Sequence, residues 1–180
     1  MWYIRHGCAG VVVMVMRAAL LAGALGLLFG PGCVLPESSL ASGCIKYICD
    51  DETVTDSATG LTWQRNLPAT YAGCTGRLPL SRGMVGSGCT WDEAKAYCGQ
   101  LMLEGSGWRL PTKDELLSIV DTQSSHPSID VVAFPNTPSY GFWSSSPDAG
   151  SSGGAWHVQF SGGGSVSLDT GVASRVRCVR

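Results

Sequence analysis

The chain has 180 residues, a formal net charge of −2 and 14% charged residues, a size that suggests one domain plus extensions. Setting aside Arg5 and Arg17 leaves ten of the twelve Lys/Arg against fourteen Asp/Glu. That acidic excess, with no basic stripe and no nucleic-acid module motif, argues against a nucleic-acid partner.

Residues 1–32 read as an export signal. Arg17 supplies a positive start, Ala18 to Phe29 an apolar run, and Gly30-Pro31-Gly32 a zone of small residues. The run is too short and too Gly-rich for a spanning helix. Translation is expected to start at Met14 or Met16, making the upstream residues an extension. Cys33 follows Gly32 directly, which resembles the lipobox of bacterial lipoproteins, although Gly30 and Pro31 depart from its usual residues. The resemblance implies a lipidated Cys33, an anchor in a membrane through acyl chains alone, and an outer-membrane or cell-surface location. Each buried CH₂ of such chains contributes about 0.8 kcal/mol. The alternative is a secreted or periplasmic protein whose Cys33 joins a disulfide.

Beyond Cys33 there are six cysteines, Cys44, Cys49, Cys74, Cys89, Cys98 and Cys178, an even number suited to three disulfides in an oxidising compartment. Zinc is disfavoured because no C-x2-C pair occurs. Residues 33–52 are expected to form a tether ending in a small Cys44–Cys49 loop, with Asp50-Asp51-Glu52 as a solvated acidic turn. From residue 53 to 180 a domain follows. Val54 and the pair Leu61 and Trp63 mark two short strands around the turn Asp56 to Gly60. Residues 66 to 89 are rich in Gly, Pro and Ser, and a Cys74–Cys89 bridge would tie this long connection down.

Thr90-Trp91-Asp92-Glu93 is a capping box, and Trp91, Ala94, Tyr97, Cys98 and Leu101 recur at helical spacing. This predicts a helix to about Leu103. Thr112 and Glu115 form a second capping box, opening a helix from Lys113 to about Asp121. His126-Pro127 and Phe134-Pro135 predict a surface loop. The last forty residues are β in character. Phe142-Trp143-Ser144 is a strand candidate; Trp156, Val158 and Phe160 alternate toward one face, and Ser161 to Gly164 make a hairpin turn before Val166 and Leu168. In the closing segment Val176 and Cys178 share one face, Arg175 and Arg177 the other. The elements together predict an α+β fold, two helices on a small, mostly antiparallel sheet.

Several motifs then fall in a recognisable order: Thr59-Gly60-Leu61-Thr62-Trp63-Gln64, Trp91-x-x-Ala94-x-x-Tyr97-Cys98, Trp108-Arg109-Leu110-Pro111-Thr112-x-x-Glu115-Leu116, Phe142-Trp143-Ser144-Ser145-Ser146 and Arg177-Cys178-Val179-Arg180. Over roughly residues 53 to 180 the chain resembles the Lcl C-terminal domain family of bacterial envelope and secreted proteins. The resemblance implies an extracellular module, in at least one member the glycosaminoglycan-binding tip of a collagen-like adhesin. This chain carries no Gly-X-Y stalk. A cysteine on the first helix and one near the chain end also resemble the arrangement in C-type-lectin-like folds, which implies a disulfide-stapled core with a Cys98–Cys178 pairing and leaves Cys44–Cys49 and Cys74–Cys89 as local bridges. The Arg109-Leu110-Pro111-Thr112 string is similar to the formylglycine-generating sulfatase-modifying family.

Arg175, Arg177 and Arg180 are the ligand-binding candidates, because guanidinium forks suit sulfate or carboxylate on a glycan. His157, on the face opposite Trp156, joins them. The alternative for the arginines is a solvated strand face guarding an edge. Trp63, Trp91, Trp108, Trp143 and Trp156 are read mainly as core, and Arg109 as the structural partner of Glu115 or Asp114. No catalytic residue, metal site or cofactor is assigned: no Gly-x-Ser-x-Gly elbow or His-x-x-x-His spacing is present. The leading expectation is a non-catalytic binding module for a glycan or other envelope component, a sulfated polysaccharide among the choices. An enzyme related to the sulfatase modifiers and a purely structural envelope protein are the alternatives.

Overall fold

A computed structural model describes residues 46–78 and 84–180. The expected export signal, the lipidation of Cys33 and the Cys44 end of the Cys44–Cys49 pairing lie outside the described residues. The fold is α+β, as expected, but the sheet is two sheets. The first holds β1 (Tyr47–Cys49), β2 (Thr53–Asp56) and β3 (Thr62–Gln64); the second holds β4 (Gly141–Pro147), β5 (Gly154–Gln159) and β6 (Ser165–Asp169). Both are antiparallel and ordered sequentially. Helices α1 (Trp91–Gln100) and α2 (Lys113–Ser118) lie between them in sequence. Among the described residues no helix is long and apolar enough to cross a membrane.

Strand β1 falls in the stretch expected to be tether. It pairs with β2 because Tyr47 is an anchor: its ring is 5% exposed and meets Phe134 edge-on, with centroids 5.2 Å apart. The segment from Tyr47 is therefore part of the fold. The turn from β2 to β3 is built by Asp56, whose carbonyl accepts from Gly60 N–H and whose carboxylate accepts from Ala58 N–H. Gly60 takes the left-handed conformation (φ 73°) that this turn demands.

Both capping boxes are present. Thr90 N–H donates to Glu93 and Thr112 N–H to Glu115, at 2.9 and 2.8 Å. Both helices stop earlier than their apolar spacing predicts. Leu101 leaves α1 in an extended conformation, and the chain turns so that the Trp108 indole can donate to the Leu103 carbonyl. At the end of α2 the Ser118 carbonyl is taken by Lys46 Nζ at 2.9 Å. A donor far away in sequence caps the helix where the local sequence shows only a continuing Ile119-Val120.

Two apolar clusters fill the interior. One joins Val54 and Trp63 of the first sheet to Leu116 and Ile119, Phe142, Val158 and Phe160; the other packs Ala94, Trp108, Leu110, Trp143 and Ala155 around disulfides. Each fully buried Leu or Phe contributes about 1.5–3 kcal/mol. The Pro-punctuated stretch near residue 130 differs from the surface loop expected: Ile129, Ala133 and Phe134 are buried. Asp130 turns this segment inward by accepting from the N–H groups of Val132 and Ala133. Its turn chemistry was readable; its contribution to the core was not.

Disulfides join Cys74 to Cys89 and Cys98 to Cys178. The second fixes the closing segment, which runs between the sheets rather than along an edge. Val179 bridges to Trp63 of β3 on one side and to Arg109 on the other, while Ser174 bridges to Cys89 and Arg175 to Phe142. Residues 176–179 are all buried. A segment covered on both sides cannot present an alternating solvated face, and this changes the reading of its arginines.

Candidate functional site

Arg177, expected on the outward face of the last strand, has no exposed surface. Its guanidinium donates to the carbonyls of Gln64 and Arg65 and to Thr137 Oγ1, and sits 4.9 Å from the centre of the Phe134 ring. Burial pulls its pKa down to about 10, still charged at neutral pH. It is a structural cation and unavailable to a ligand. Arg180 is also committed. It donates to the Glu104 carbonyl at 2.9 Å, faces the Glu104 carboxylate at 3.7 Å, and lies 5.1 Å from the Trp108 ring centre. It ties the chain end to the turn after α1.

His157 faces away from Trp156, as alternation requires, but that face is covered too and the ring is only 7% exposed. Trp143 meets it edge-on at 5.6 Å and Gly141 lies flat beneath it. A Cβ at position 141 would stand 1.6 Å from the ring, so the imidazole occupies the space that glycine leaves. Nε2 is 2.6 Å from Ser174 Oγ, which is 3.0 Å from the Gly141 carbonyl. One hydroxyl hydrogen faces two acceptor positions, so the direction of the Ser174–His157 bond follows the imidazole tautomer. Nδ1 has no partner among the described residues.

Burial, opposed weakly by the Gly141 carbonyl, lowers the His157 pKa from 6.5 to about 4. Above pH 6.5 the residue is neutral folded and unfolded; between 6.5 and 4 only the unfolded chain takes the proton. Stability is therefore fully present above pH 6.5 and lost as pH falls toward 4, by about 3 kcal/mol from this residue. His157→Gln should flatten the difference in unfolding free energy between pH 7 and pH 4 by that amount, as read from denaturant titrations. An unchanged pH dependence would contradict the assignment.

Arg175 differs from its neighbours. It is half-buried, its main-chain carbonyl accepts from Trp143 N–H, and its guanidinium lies 5.0 Å from the centre of the Tyr140 ring. That guanidinium has no ion pair and no hydrogen bond within the described residues. It stands at the rim of a cleft of about 420 Å³ lined also by Leu78, Gly141, His157, Leu168, Ala173 and Ser174. Of the residues singled out in the sequence, the structure brings Arg175 and His157 together here and places Arg177 and Arg180 elsewhere. Tyr140, Leu78 and Leu168 were missed. Tyr140 sits beside Pro138 in an apparent connection, and no local pattern marks it as a wall.

A second hollow, of about 460 Å³, lies over the Trp108–Thr112 stretch with Lys95 and Ser145 at its sides. Its cations are already paired. Lys95 contacts Asp92 at 2.7 Å and covers the Trp91 ring; Arg109 forms a fork to Glu115 at 2.6 and 2.7 Å. The Arg109 guanidinium holds the Glu115 carboxyl below the usual carboxylate range. That carboxylate also caps Thr112, so the expected Arg109–Glu115 pairing locks the joint before α2. Trp63, Trp108 and Trp143 are core, whereas Trp91 and Trp156 remain partly exposed. Among the described residues no group of three His, Cys, Asp or Glu could hold a metal.

Fold and cleft together define a disulfide-bonded α+β domain with a half-buried, uncommitted arginine at a concave surface. The model of the Lcl C-terminal domain family matches residues 52–180, and the chain belongs to that family. A search of curated proteins finds no match.

Proposed function

We propose that this protein is an exported, non-catalytic binding module that recognises a glycan of the cell surface or envelope through the Arg175 cleft. One observation carries the reading: the Arg175 guanidinium, 5.0 Å from the Tyr140 ring centre, has no acceptor among the described residues and lines a concave, partly apolar surface. A planar cation held in place without an acceptor suits an anionic group on an incoming ligand. Apolar walls with a few convergent polar groups are the ordinary make-up of small-ligand sites. The two disulfides among the described residues suit an oxidising compartment. A lipid anchor at Cys33 and a C-type-lectin-like architecture belong to the same proposal. The buried chain end, stapled to α1 and bridged to β3, is the feature that supports the latter.

A glycan array probed with the oxidised full chain tests the reading. Retention on a restricted set of glycans carrying acidic units is expected. Silence on acidic and neutral glycans alike would contradict it.

A further inference from the structure

We infer that the Arg175 cleft takes a single acidic sugar unit end-on, a terminal ring bearing one carboxylate and a small apolar substituent such as an N-acyl group. The inference rests on the glycan-binding reading and narrows it. It separates this domain from a module built to lie along a polysulfated chain.

The supply of free charge separates the two kinds of ligand. A polysulfated chain is held by several free cations spaced along a surface. Among the described residues, Lys46, Lys95, Arg109 and Arg180 each face a carboxylate, and Arg77 has a partner of its own. Arg65 and Arg177 are spent on carbonyls, and Lys113 lies 4.0 Å from the Trp156 ring centre, outside the cleft lining. Among the described residues the cleft itself offers one guanidinium, that of Arg175. His157 adds no second charge, because burial keeps it neutral at physiological pH.

Shape and wall chemistry separate them as well. About 420 Å³ is near the lower end of the range for small-ligand pockets and suits one ring with its substituents. The apolar lining of Leu78, Leu168 and Ala173 hydrates poorly and favours a methyl or a C–H face. The Arg175 guanidinium lies 5.0 Å from the Tyr140 ring centre, and its N–H donors, without an acceptor among the described residues, suit a planar, bidentate acceptor. A carboxylate is planar and matches the fork.

The test uses the oxidised full chain and calorimetric titration with three probes: the methyl α-glycoside of N-acetylneuraminic acid, the methyl ester of that glycoside, and a heparin-derived tetrasaccharide. The acid should bind at least tenfold more tightly than its ester and than the tetrasaccharide. Arg175→Gln should weaken the acid at least tenfold, leave the ester unchanged and preserve the near-ultraviolet circular dichroism of the buried tryptophans. Arg175→Lys should fall between, since it keeps the charge and loses the fork. Equal binding of acid and ester, or tighter tetrasaccharide binding indifferent to Arg175→Gln, would overturn this inference and leave the glycan reading standing. No binding of any probe, with a silent glycan array, would overturn both.

Discussion

Replacing Cys98 and Cys178 together by Ala is expected to lower the unfolding free energy by about 4.5 kcal/mol, as measured by guanidinium denaturation of the non-reduced protein. The bridge closes a sequence separation of 80 residues, against 15 for Cys74–Cys89. Loop-closure entropy removed from the unfolded chain grows with the logarithm of that number, so the shorter bridge contributes about 3 kcal/mol. Native-state consequences add to the larger effect. Both sulfurs are buried in the cluster around Trp143 and Val176, so truncation to Ala also removes packing from a closed site. The closing segment would then be held by its bridges to β3 and Arg109, by Arg177 and by the Arg180–Glu104 contact. A loss below about 1.5 kcal/mol would show that those contacts fix the chain end unaided.

Arg177→Ala is expected to cost about 4 kcal/mol in the same measurement. A buried cation paired with a carboxylate can often be exchanged, pair for pair, with apolar residues at little cost. Arg177 offers no such exchange, because two of its acceptors are main-chain carbonyls of Gln64 and Arg65 that no substitution can remove. Without the guanidinium those carbonyls and Thr137 Oγ1 lose a charged donor, and a cavity opens beside Phe134 and Phe142. Arg177→Met, which fills most of the volume, should still lose about 3 kcal/mol, since unsatisfied acceptors remain. Arg177→Lys should lose about 2 kcal/mol, because one ammonium cannot span three acceptors arranged for a fork. Near-neutral behaviour of Arg177→Met would mean that packing alone accounts for the residue.

How far the sequence could be read depended on how local the cause was. Thr90–Glu93 and Thr112–Glu115 act over three residues and are visible as capping boxes, and both helices start where these place them. The Arg109–Glu115 fork spans six residues and was equally accessible. Helix ends were less so: the donor that stops α2 is Lys46, 72 residues away in the chain. The candidate site suffered most from this limit. Period-two alternation assigns a face but cannot say whether another element covers it. Arg175, Arg177 and His157 were placed on open faces by a rule that holds for edge strands. The closing segment lies between two sheets, so Arg177 became core while Arg175, two residues earlier, kept its exposure. Tyr140, Leu78 and Leu168 meet Arg175 only through tertiary contact, and no spacing in the chain connects them.

The central claim is that the ligand enters at Arg175 and that the well-marked Trp108–Glu115 stretch serves as scaffold. Chemical-shift mapping of the isotope-labelled, oxidised protein against each glycan retained on an array tests this most directly. The account predicts the largest amide and side-chain perturbations at Tyr140, Gly141, Ser174 and Arg175, with Lys95, Arg109 and Thr112 unmoved. Perturbations concentrated at Lys95, Arg109 and Thr112, with a silent Arg175, would contradict it.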